Sequence, residues 1–373
     1  MLRRVTRSLV LLPVLLVLSL STATADALPE YGISWIRELG FNHLLMPRHA
    51  EQRSSPLVQG NTIYLGTRLG DVWSFDRRRG GVNWKRSFDS PIDADLATEG
   101  QTLYAGTVSG AVIALDREQG TTRWRYWAGH EVQGAPTVAD DLLLFTTANN
   151  QVFALDRESG EWQWQYSEGP DPDLSIQGVA GVAVSGDAVF TGFSNGVLVA
   201  LGREDGTPLW RQRFEGTGQF QDIDATPVLS GGRLYVVVYG SRLVAMEPAD
   251  GSVLWSRSIS SKDAPVVVDD TVFLGTLNGE IHALDAATGD SRWTVTVSEA
   301  PLPTPLFSQN RLYVPDGSRG LAVLDAGAGK RIWHYQGAVS GIRSSPAVDA
   351  HGGIYMATNL GHLYRFHPIR SLR

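Results

Sequence analysis

Short apolar stretches, separated by turn-forming residues, recur along most of the chain. A representative unit, residues 270–297, reads DTVFLGTLNGEIHALDAATGDSRWTVTV. In its third stretch, Ile281–Asp285, apolar and polar residues alternate with the period of two that a pleated strand requires. Asn-Gly at 278–279 marks a tight turn before that stretch, because such turns need positive φ angles. The pattern predicts four short strands per unit, the first after a frequent proline and the fourth near a tryptophan.

A tryptophan recurs once per unit, at intervals of 40, 40, 46, 45, 38 and 40 residues. A glycine lies four residues before each of the seven tryptophans, and an aspartate lies eight residues before five of them. We interpret this pair as a turn, since aspartate accepts backbone N–H bonds and glycine adopts a left-handed conformation. Because every unit carries one, the tryptophans are interpreted as packing between units rather than as a ligand platform. The repeat tryptophans are Trp84, Trp124, Trp164, Trp210, Trp255, Trp293 and Trp333.

Four strands per unit of about 40–50 residues is the blade of a β-propeller. Residues 344–367 supply three strands of an eighth unit, which lacks its own tryptophan. The segment near residues 33–39, which contains Trp35, resembles the missing fourth strand. The sequence therefore predicts an all-β, eight-bladed propeller whose ring is closed by an N-terminal strand, which removes the open sheet edge. We expect residues 26–373 to form this single domain.

Residues 1–25 have the features of a secretory signal peptide. Arg3, Arg4 and Arg7 give a positive start, Leu9–Leu20 is apolar apart from one serine, and Ala23-Thr24-Ala25 is a small-residue cleavage site. The alternative is an uncleaved anchor, although the apolar run is short for a membrane span. We expect an exported protein.

Composition excludes several kinds of chemistry. The 373 residues include no cysteine, so disulfides, thiolate metal sites, a thiol nucleophile and a lipid-bearing cysteine are ruled out for this sequence. The 32 basic and 39 acidic residues give a net charge of −7, which disfavours a nucleic-acid-binding protein. Without residues 1–25, which hold three arginines and no acid, 29 basic and 39 acidic residues remain, a charge of −10.

No catalytic constellation is evident in the sequence. The eight histidines have no HExxH spacing, and no nucleophile elbow, phosphate loop or dinucleotide fingerprint appears in a strand-to-helix context. Three acidic pairs could supply hard oxygen ligands for calcium, but none lies in an EF-hand pattern. We therefore predict no catalytic residue, no metal and no cofactor. The acidic pairs are Asp93/Asp95, Asp171/Asp173 and Asp222/Asp224.

The repeat ALDxxxGxxxW resembles the blade repeat of the pyrroloquinoline-quinone (PQQ) dehydrogenases and covers nearly the whole chain after residue 25. Membership of the dehydrogenase subfamily would imply calcium and the quinone in the central funnel. Those enzymes are typically much longer and often carry a vicinal cysteine pair, whereas this chain has no cysteine.

In size, blade number and closing strand, the chain resembles the BamB family of the outer-membrane β-barrel assembly machinery. Leu174-Ser175-Ile176-Gln177-Gly178 resembles that family's Leu-Ser-Leu-Arg-Gly stretch, with Gln177 where the family has arginine. Residues 222–228, Asp-Ile-Asp-Ala-Thr-Pro-Val, resemble its Asp-Val-Asp-Thr-Thr-Pro-Val stretch. The resemblance implies that the two segments form one docking surface for BamA, the barrel-bearing insertase. Leu174 and Ile176 would be apolar anchors, while Asp222 and Asp224 would meet basic groups of the partner or orient the neighbouring loop.

This resemblance implies a non-catalytic, monomeric scaffold in the periplasm, peripheral to the outer membrane. It would bind a BamA-like insertase, and also unfolded outer-membrane proteins during barrel assembly. Because the sequence has no lipidation cysteine, we expect its membrane association to be indirect, through the partner. Two alternatives remain open: a generic periplasmic interaction propeller that binds polysaccharide or another envelope complex, and a small PQQ-dependent dehydrogenase.

Overall fold

The computed structural model describes residues 30–40, 52–132, 134–169, 180–214, 222–318, 320–338 and 340–369. These residues form 32 strands in eight four-stranded antiparallel sheets, and none of them is helical. Each sheet is one blade of a propeller, as the repeat predicts. The predicted unit boundaries hold closely: the stretch expected at Ile281–Asp285 is the strand Glu280–Asp285.

The strands are numbered in chain order, and β1 belongs to the last blade. The closing strand and blades 1 to 4 are β1 (Glu30–Glu38); β2 (Leu57–Gln59), β3 (Thr62–Gly66), β4 (Asp71–Asp76), β5 (Val82–Ser87); β6 (Ala97–Glu99), β7 (Thr102–Gly106), β8 (Ala111–Asp116), β9 (Thr122–Trp127); β10 (Thr137–Ala139), β11 (Leu142–Thr147), β12 (Gln151–Asp156), β13 (Trp162–Ser167); β14 (Ala183–Ser185), β15 (Ala188–Gly192), β16 (Val197–Gly202), β17 (Pro208–Arg213). Blades 5 to 8 continue with β18 (Val228–Ser230), β19 (Arg233–Val238), β20 (Arg242–Met246), β21 (Val253–Arg257); β22 (Val266–Val268), β23 (Thr271–Gly275), β24 (Glu280–Asp285), β25 (Ser291–Thr296); β26 (Leu306–Ser308), β27 (Arg311–Pro315), β28 (Leu321–Asp325), β29 (Arg331–Tyr335); β30 (Ala347–Val348), β31 (Ile354–Ala357), β32 (His362–Ile369).

The eighth blade joins the two ends of the described chain. Its strand order is β1-β32-β31-β30, so the N-terminal strand occupies the outer position. β1 pairs antiparallel with β32 from Glu30 opposite Ile369 to Glu38 opposite His362, with a bulge at Ser34. The predicted closing strand is thereby confirmed, although it begins at Glu30 rather than near residue 33.

The hydrophobic core is divided among the interfaces between blades. Eight clusters of buried apolar side chains each join one blade to the next, including the closing interface between blades 8 and 1. The short first strands of neighbouring blades contact one another, so they surround a central channel. A single blade could not bury both of its sheet faces, so each depends on its neighbours for stability.

We define two faces of the ring. On the lower face lie the turns between the first and second strands and between the third and fourth strands. On the upper face lie the turns between the second and third strands and the connections that lead from one blade to the next. The backbone N–H of Phe88, in such a connection, donates to Gly70 O in the turn of blade 1, which ties the connection to that turn at 2.8 Å.

Trp35 and six of the seven repeat tryptophans contact the lower-face turn of the following blade. A Cβ added to Gly160 of blade 3 would lie 2.6 Å from the ring of Trp124 in blade 2. Trp124 Nε1 donates to Arg157 O in the same turn at 3.1 Å. The same stacking on glycine occurs at seven interfaces, where the glycine φ is between 67° and 74°. Pairs are Trp35–Gly80, Trp84–Gly120, Trp124–Gly160, Trp164–Gly206, Trp210–Gly251, Trp255–Gly289 and Trp293–Gly329.

The aspartate of the repeat caps the same turn. Asp76 Oδ1 accepts the backbone N–H groups of Arg78 and Arg79 at 3.1 and 2.7 Å, and Gly80 N donates to Asp76 O. These bonds satisfy backbone donors that the strands cannot reach. The glycine is required for two reasons, its positive φ and the tryptophan ring above it.

A buried ion pair reinforces the closing interface. Arg77 in the lower-face turn of blade 1 donates to Asp349 in the first turn of blade 8. The Asp349 side chain is only 3% exposed and also accepts a hydrogen bond from Tyr355 OH at 2.8 Å. An equivalent pair joins Arg203 of blade 4 to Asp140 of blade 3, but there the aspartate is 75% exposed. The closing interface therefore carries the more strongly desolvated pair.

Candidate functional site

A cavity of about 280 Å³ lies on the upper face, where the connections between blades reach the mouth of the channel. Residues from six of the eight connections surround it, so no single blade contains the site. Its lining includes four acidic and two basic residues. The cavity is lined by Arg53, Asp93, Asp95, Gly134, Ala135, Asp224, Ala225, Thr226, Lys262, Asp263, Ala264 and Thr304.

The charged residues occupy equivalent positions in different blades. The residue four positions before the first strand is charged in five of the eight blades, yet its sign changes from blade to blade. A position that the repeat used only for packing would carry similar side chains throughout. The variation therefore marks the channel mouth as the irregular part of a regular ring. The five residues are Arg53, Asp93, Asp224, Lys262 and Arg343.

Ile223 positions the two acidic residues that flank it. Its side chain is fully buried in the cluster between blades 4 and 5. Its backbone N–H donates to Phe193 O at 3.1 Å, and Tyr239 N donates to Asp222 O at 2.9 Å. Asp222 is 1% exposed, whereas Asp224 lines the cavity. The two carboxylates therefore lie in different surroundings, Asp222 within the protein and Asp224 at the cavity.

Asp224 is electrostatically strained. Burial, followed by the nearby charge of Asp222, raises the pKa of Asp224 to about 7. Lys262 opposes this shift, but Lys262 Nζ itself donates to Asp263 Oδ2 at 2.7 Å. Asp224 Oδ1 is buried and has no hydrogen-bond partner among the described residues. A buried carboxylate oxygen without a donor costs free energy, which a cationic group would offset.

Two further carboxylates, which the sequence paired, line the same cavity. Asp95 Oδ1 accepts the backbone N–H of Ser55 at 2.6 Å, and Asp93 pairs with Arg68 at 3.4 Å. The Asp95 side chain is exposed to the channel cavity, but the surrounding protein limits its solvation. Burial raises the pKa of Asp95. Asp93, Asp95 and Asp224 therefore contribute to one acidic environment.

Hydrogen bonds between connections fix the rim of the channel. Ser345 N donates to Ser55 Oγ at 3.1 Å, and Ser345 Oγ donates to Thr304 O at 3.0 Å. Thr304 Oγ1 in turn donates to Ala264 O at 3.1 Å. These residues all lie two positions before a first strand. The bonds link blades 1, 8, 7 and 6 directly. Contacts between neighbouring blades therefore fix the position of the cavity wall.

Leu174, Ile176 and Gln177 lie outside the described residues. The described residues on either side of their segment are firmly held. Glu168, whose side chain is 2% exposed, accepts hydrogen bonds from Tyr166 OH at 2.7 Å and from Arg211 Nε at 2.9 Å.

On the far side of that segment, the connection touches the next one. Gly181 N donates to Thr226 Oγ1 at 2.9 Å, two residues beyond Asp224. The connection that contains the first predicted segment therefore contacts the second segment at the channel mouth.

Sequence reasoning found Asp222 and Asp224 but did not place Lys262, Asp263 or Arg53 beside them. The sequence does contain a signal for charged residues at the channel mouth. Counting back four residues from each predicted first strand gives the five charged residues directly. Within the described ranges, no group of three or more His, Asp or Glu residues is arranged to hold a metal ion. Nor does that part of the chain contain a helix long and apolar enough to cross a membrane.

Comparison with known proteins places the chain in a family. A family model described as "Outer membrane protein assembly factor BamB" matches residues 68–277 and 240–368. The chain belongs to the BamB family. The BamB of Pseudomonas aeruginosa is 39% identical over 318 residues, which cover 83% of each chain. The BamB of Salmonella typhimurium is 27% identical over 200 residues, 52% of this chain and 51% of that protein. This chain thus spans about half the length of several BamB relatives that it matches.

Solved structures agree on the fold. The crystal structure of BamB from Moraxella catarrhalis has a TM-score of 0.77 and 21% identity, and the match covers 91% of this chain and all of that one. A europium-containing methanol dehydrogenase has a TM-score of 0.74 at 14% identity, over 90% of this chain and 93% of that one. At such identities the likeness concerns the propeller alone. The BamB and dehydrogenase likenesses in fold therefore do not separate a scaffold from an enzyme.

Proposed function

We propose that this BamB-family chain is a non-catalytic periplasmic scaffold that binds the outer-membrane barrel assembly machinery through its upper face. The observation that carries the proposal is the Asp222-Ile223-Asp224 segment. It resembles a family segment in sequence, and it holds one carboxylate oxygen at the channel mouth without a donor among the described residues. Family membership supports the machinery as the target, and the geometry supports the face.

The two acids take different roles in this proposal. Asp222 is buried and orients the connection, while Asp224 faces the cavity that a partner can reach. A lysine or arginine of the partner, the insertase BamA, would donate to Asp224 and favour its ionised form. Charge-assisted hydrogen bonds of this kind are stronger than neutral ones. Docking would therefore lower the pKa of Asp224 and relieve its strain.

Leu174, Ile176 and Gln177 remain predicted contacts of the same surface. The contact between Gly181 and Thr226 supports this grouping, since it joins their connection to that of Asp224. A few side chains that become fully desolvated usually carry most of the binding energy of an interface. Gln177 would offer hydrogen bonds but not the planar charged fork of arginine.

Barrel precursors would be held elsewhere on the ring. The outer strand of each blade has an unpaired edge, to which an extended segment could add as a further strand. Some of these outer strands expose large apolar side chains: Trp127 on β9, Leu209 on β17 and Val82 on β5 are 58%, 57% and 52% exposed. Such edges suit transient binding of alternating apolar and polar strands.

The test is co-purification from native envelope with Asp224→Ala. We expect recovery of the insertase to fall by about tenfold or more, since truncating one partner of a desolvated charge pair costs a few kcal/mol. The matched control is Asp89→Ala, which removes an exposed acid from the same face outside the cavity. It should leave recovery unchanged.

Undiminished recovery with a folded Asp224→Ala protein would reject the upper-face assignment. Recovery of a different envelope complex by the unaltered protein would favour the generic interaction propeller. Binding of pyrroloquinoline quinone in the presence of calcium, followed by its absorbance, would favour the dehydrogenase alternative; we expect none.

A further inference from the structure

The lower face of blade 1 departs from the charge pattern of its equivalents. In blades 1 to 7, the second and third residues after the capping position of the lower-face turn are exposed. In blade 1 both are arginine, Arg78 and Arg79. In blades 2 to 7 neither is basic. The equivalents of Arg78 are Glu118, Glu158, Glu204, Ala249, Ala287 and Gly327.

The fold does not require this difference in charge. In blade 2, Asp116 Oδ1 accepts the N–H groups of Glu118 and Gln119 at 3.0 and 2.9 Å, as Asp76 does for the two arginines of blade 1. The bonds involve backbone donors only, so the side chains point outward with no part in the turn. Arg78 and Arg79 are both exposed. A charge reversal at a position without a structural role points to a ligand of opposite sign.

The closing blade extends the same basic surface. Arg365 Nη1 of β32 lies 3.5 Å from Arg78 O, and Arg37 Nη2 of β1 donates to Arg79 O at 2.9 Å. Each guanidinium keeps its positive charge while it bonds to a neutral carbonyl. We call Arg37, Arg78, Arg79 and Arg365 the seam patch. Asp76, the capping acid of the turn, lies beside the patch and offsets part of its positive charge.

An exposed aliphatic side chain lies on the face of the closing blade that carries Arg365. Ile369 of β32 is 45% exposed and lies over Gly32 of β1, 3.0 Å from the position of a Cβ there. Because side chains alternate along a strand, Ile369 and Arg365 share one face of β32. Arginines beside exposed aliphatic groups are typical of surfaces that lie in the lipid headgroup region.

We propose that the seam patch is a contact surface for anionic lipid headgroups. The patch is basic although the whole chain carries a formal charge of −7, so attraction to an anionic surface would be local and would orient the protein. The paired strand ends at Glu30 and Ile369 lie on this lower face. The channel cavity lies on the opposite face and would point away from the lipid. Direct lipid contact would add to any attachment that the protein partner provides.

The test is co-sedimentation of the exported protein with phosphatidylethanolamine vesicles that contain phosphatidylglycerol. The N-terminus of the exported protein is first identified by mass spectrometry. The variant is Arg78→Glu/Arg79→Gln, which gives blade 1 the turn sequence of blade 2, Asp-Arg-Glu-Gln-Gly. We expect salt-sensitive binding by the unaltered protein and binding at least about tenfold weaker by the variant. Phosphatidylcholine vesicles should bind neither.

The matched control is Arg125→Gln/Arg213→Glu, which changes the net charge equally at exposed positions of blades 2 and 4. It should bind as the unaltered protein does. Equal loss in both variants, or equal binding in all three proteins, would overturn the proposal. So would a seam-patch variant that keeps its lipid binding but loses an envelope protein, because the surface would then serve a protein. Asp224→Ala should leave vesicle binding unchanged, so this proposal and the upper-face docking can fail separately.

Discussion

On the lower face, seven blades present the same turn, with a glycine at positive φ beneath the tryptophan of the blade before it. On the upper face, five of the eight equivalent connections carry arginine, aspartate or lysine at one and the same position. Both faces are built from the same repeat. The difference shows that the residue type stays the same from blade to blade where a neighbouring blade fills the surrounding space. Where a position adjoins a cavity, no packed neighbour restricts the residue type, and it varies.

The largest expected effect lies at the closing interface of the lower face. Asp349→Ala leaves the buried Arg77 without its carboxylate, which should lower the free energy of unfolding by about 3–5 kcal/mol. The matched change is Asp140→Asn, because Asp140 has a φ of 50° that asparagine tolerates; its pair with Arg203 is exposed and should matter by about 0.5 kcal/mol. Thermal and urea unfolding of both variants measure the comparison. Equal losses of unfolding free energy in the two variants would mean that burial does not strengthen the Arg77–Asp349 pair.

The next effect tests the contact between tryptophan and glycine. Gly160→Ala places a side chain at a φ of 74° and brings its Cβ to 2.6 Å from the Trp124 ring. We expect a loss of about 3 kcal/mol, from backbone strain and from displacement of the ring. Gly186→Ala has a φ of 55° but no atom within 4 Å, so it should lose only about 1 kcal/mol. If unfolding experiments give the same loss for both, the ring contact is unimportant.

A smaller effect should appear on the upper face as a dependence on pH. The pKa of Asp224 is about 7 in the folded protein, against an ordinary value of 3.8. The stability associated with its protonation is therefore fully present below about pH 4 and is lost as pH rises through 7. The expected loss is on the order of 2 kcal/mol, since solvent in the cavity screens part of the electrostatic cost. Asp224→Asn should remove this loss. Unfolding measured from pH 4 to pH 8 tests it; parallel profiles would contradict it.

A second variant sharpens the same profile. Asp263→Asn removes an acid that raises the pKa of Asp224 and releases Lys262 from its pair. Both changes favour ionised Asp224 and lower its pKa in the folded protein, so the loss of stability should end at a lower pH and be smaller than in the unaltered protein. A loss that is equally large and extends to the same pH would contradict the influence of this pair on Asp224.

The regular part of this protein was determined locally by the sequence. Alternation predicts the strands, aspartate and glycine predict the turn, and the count of tryptophans predicts eight blades closed by β1. These features are readable because each depends on residues within one unit or on its repetition in the next. The BamB resemblance likewise rests on short contiguous segments. The charge reversal at Arg78 was also open to sequence comparison, once the capping residue gave the register.

The tertiary structure alone decided which residues share the channel mouth. Asp95 and Asp224 belong to blades 2 and 5, and no local pattern joins them; ring closure brings one short connection from each blade to the axis. It also decided that Asp222 is buried while Asp224 faces the cavity, because Ile223 between them fills the interface of blades 4 and 5. Burial and proximity depend on the whole ring, so identical residue types in one segment acquire different chemistry.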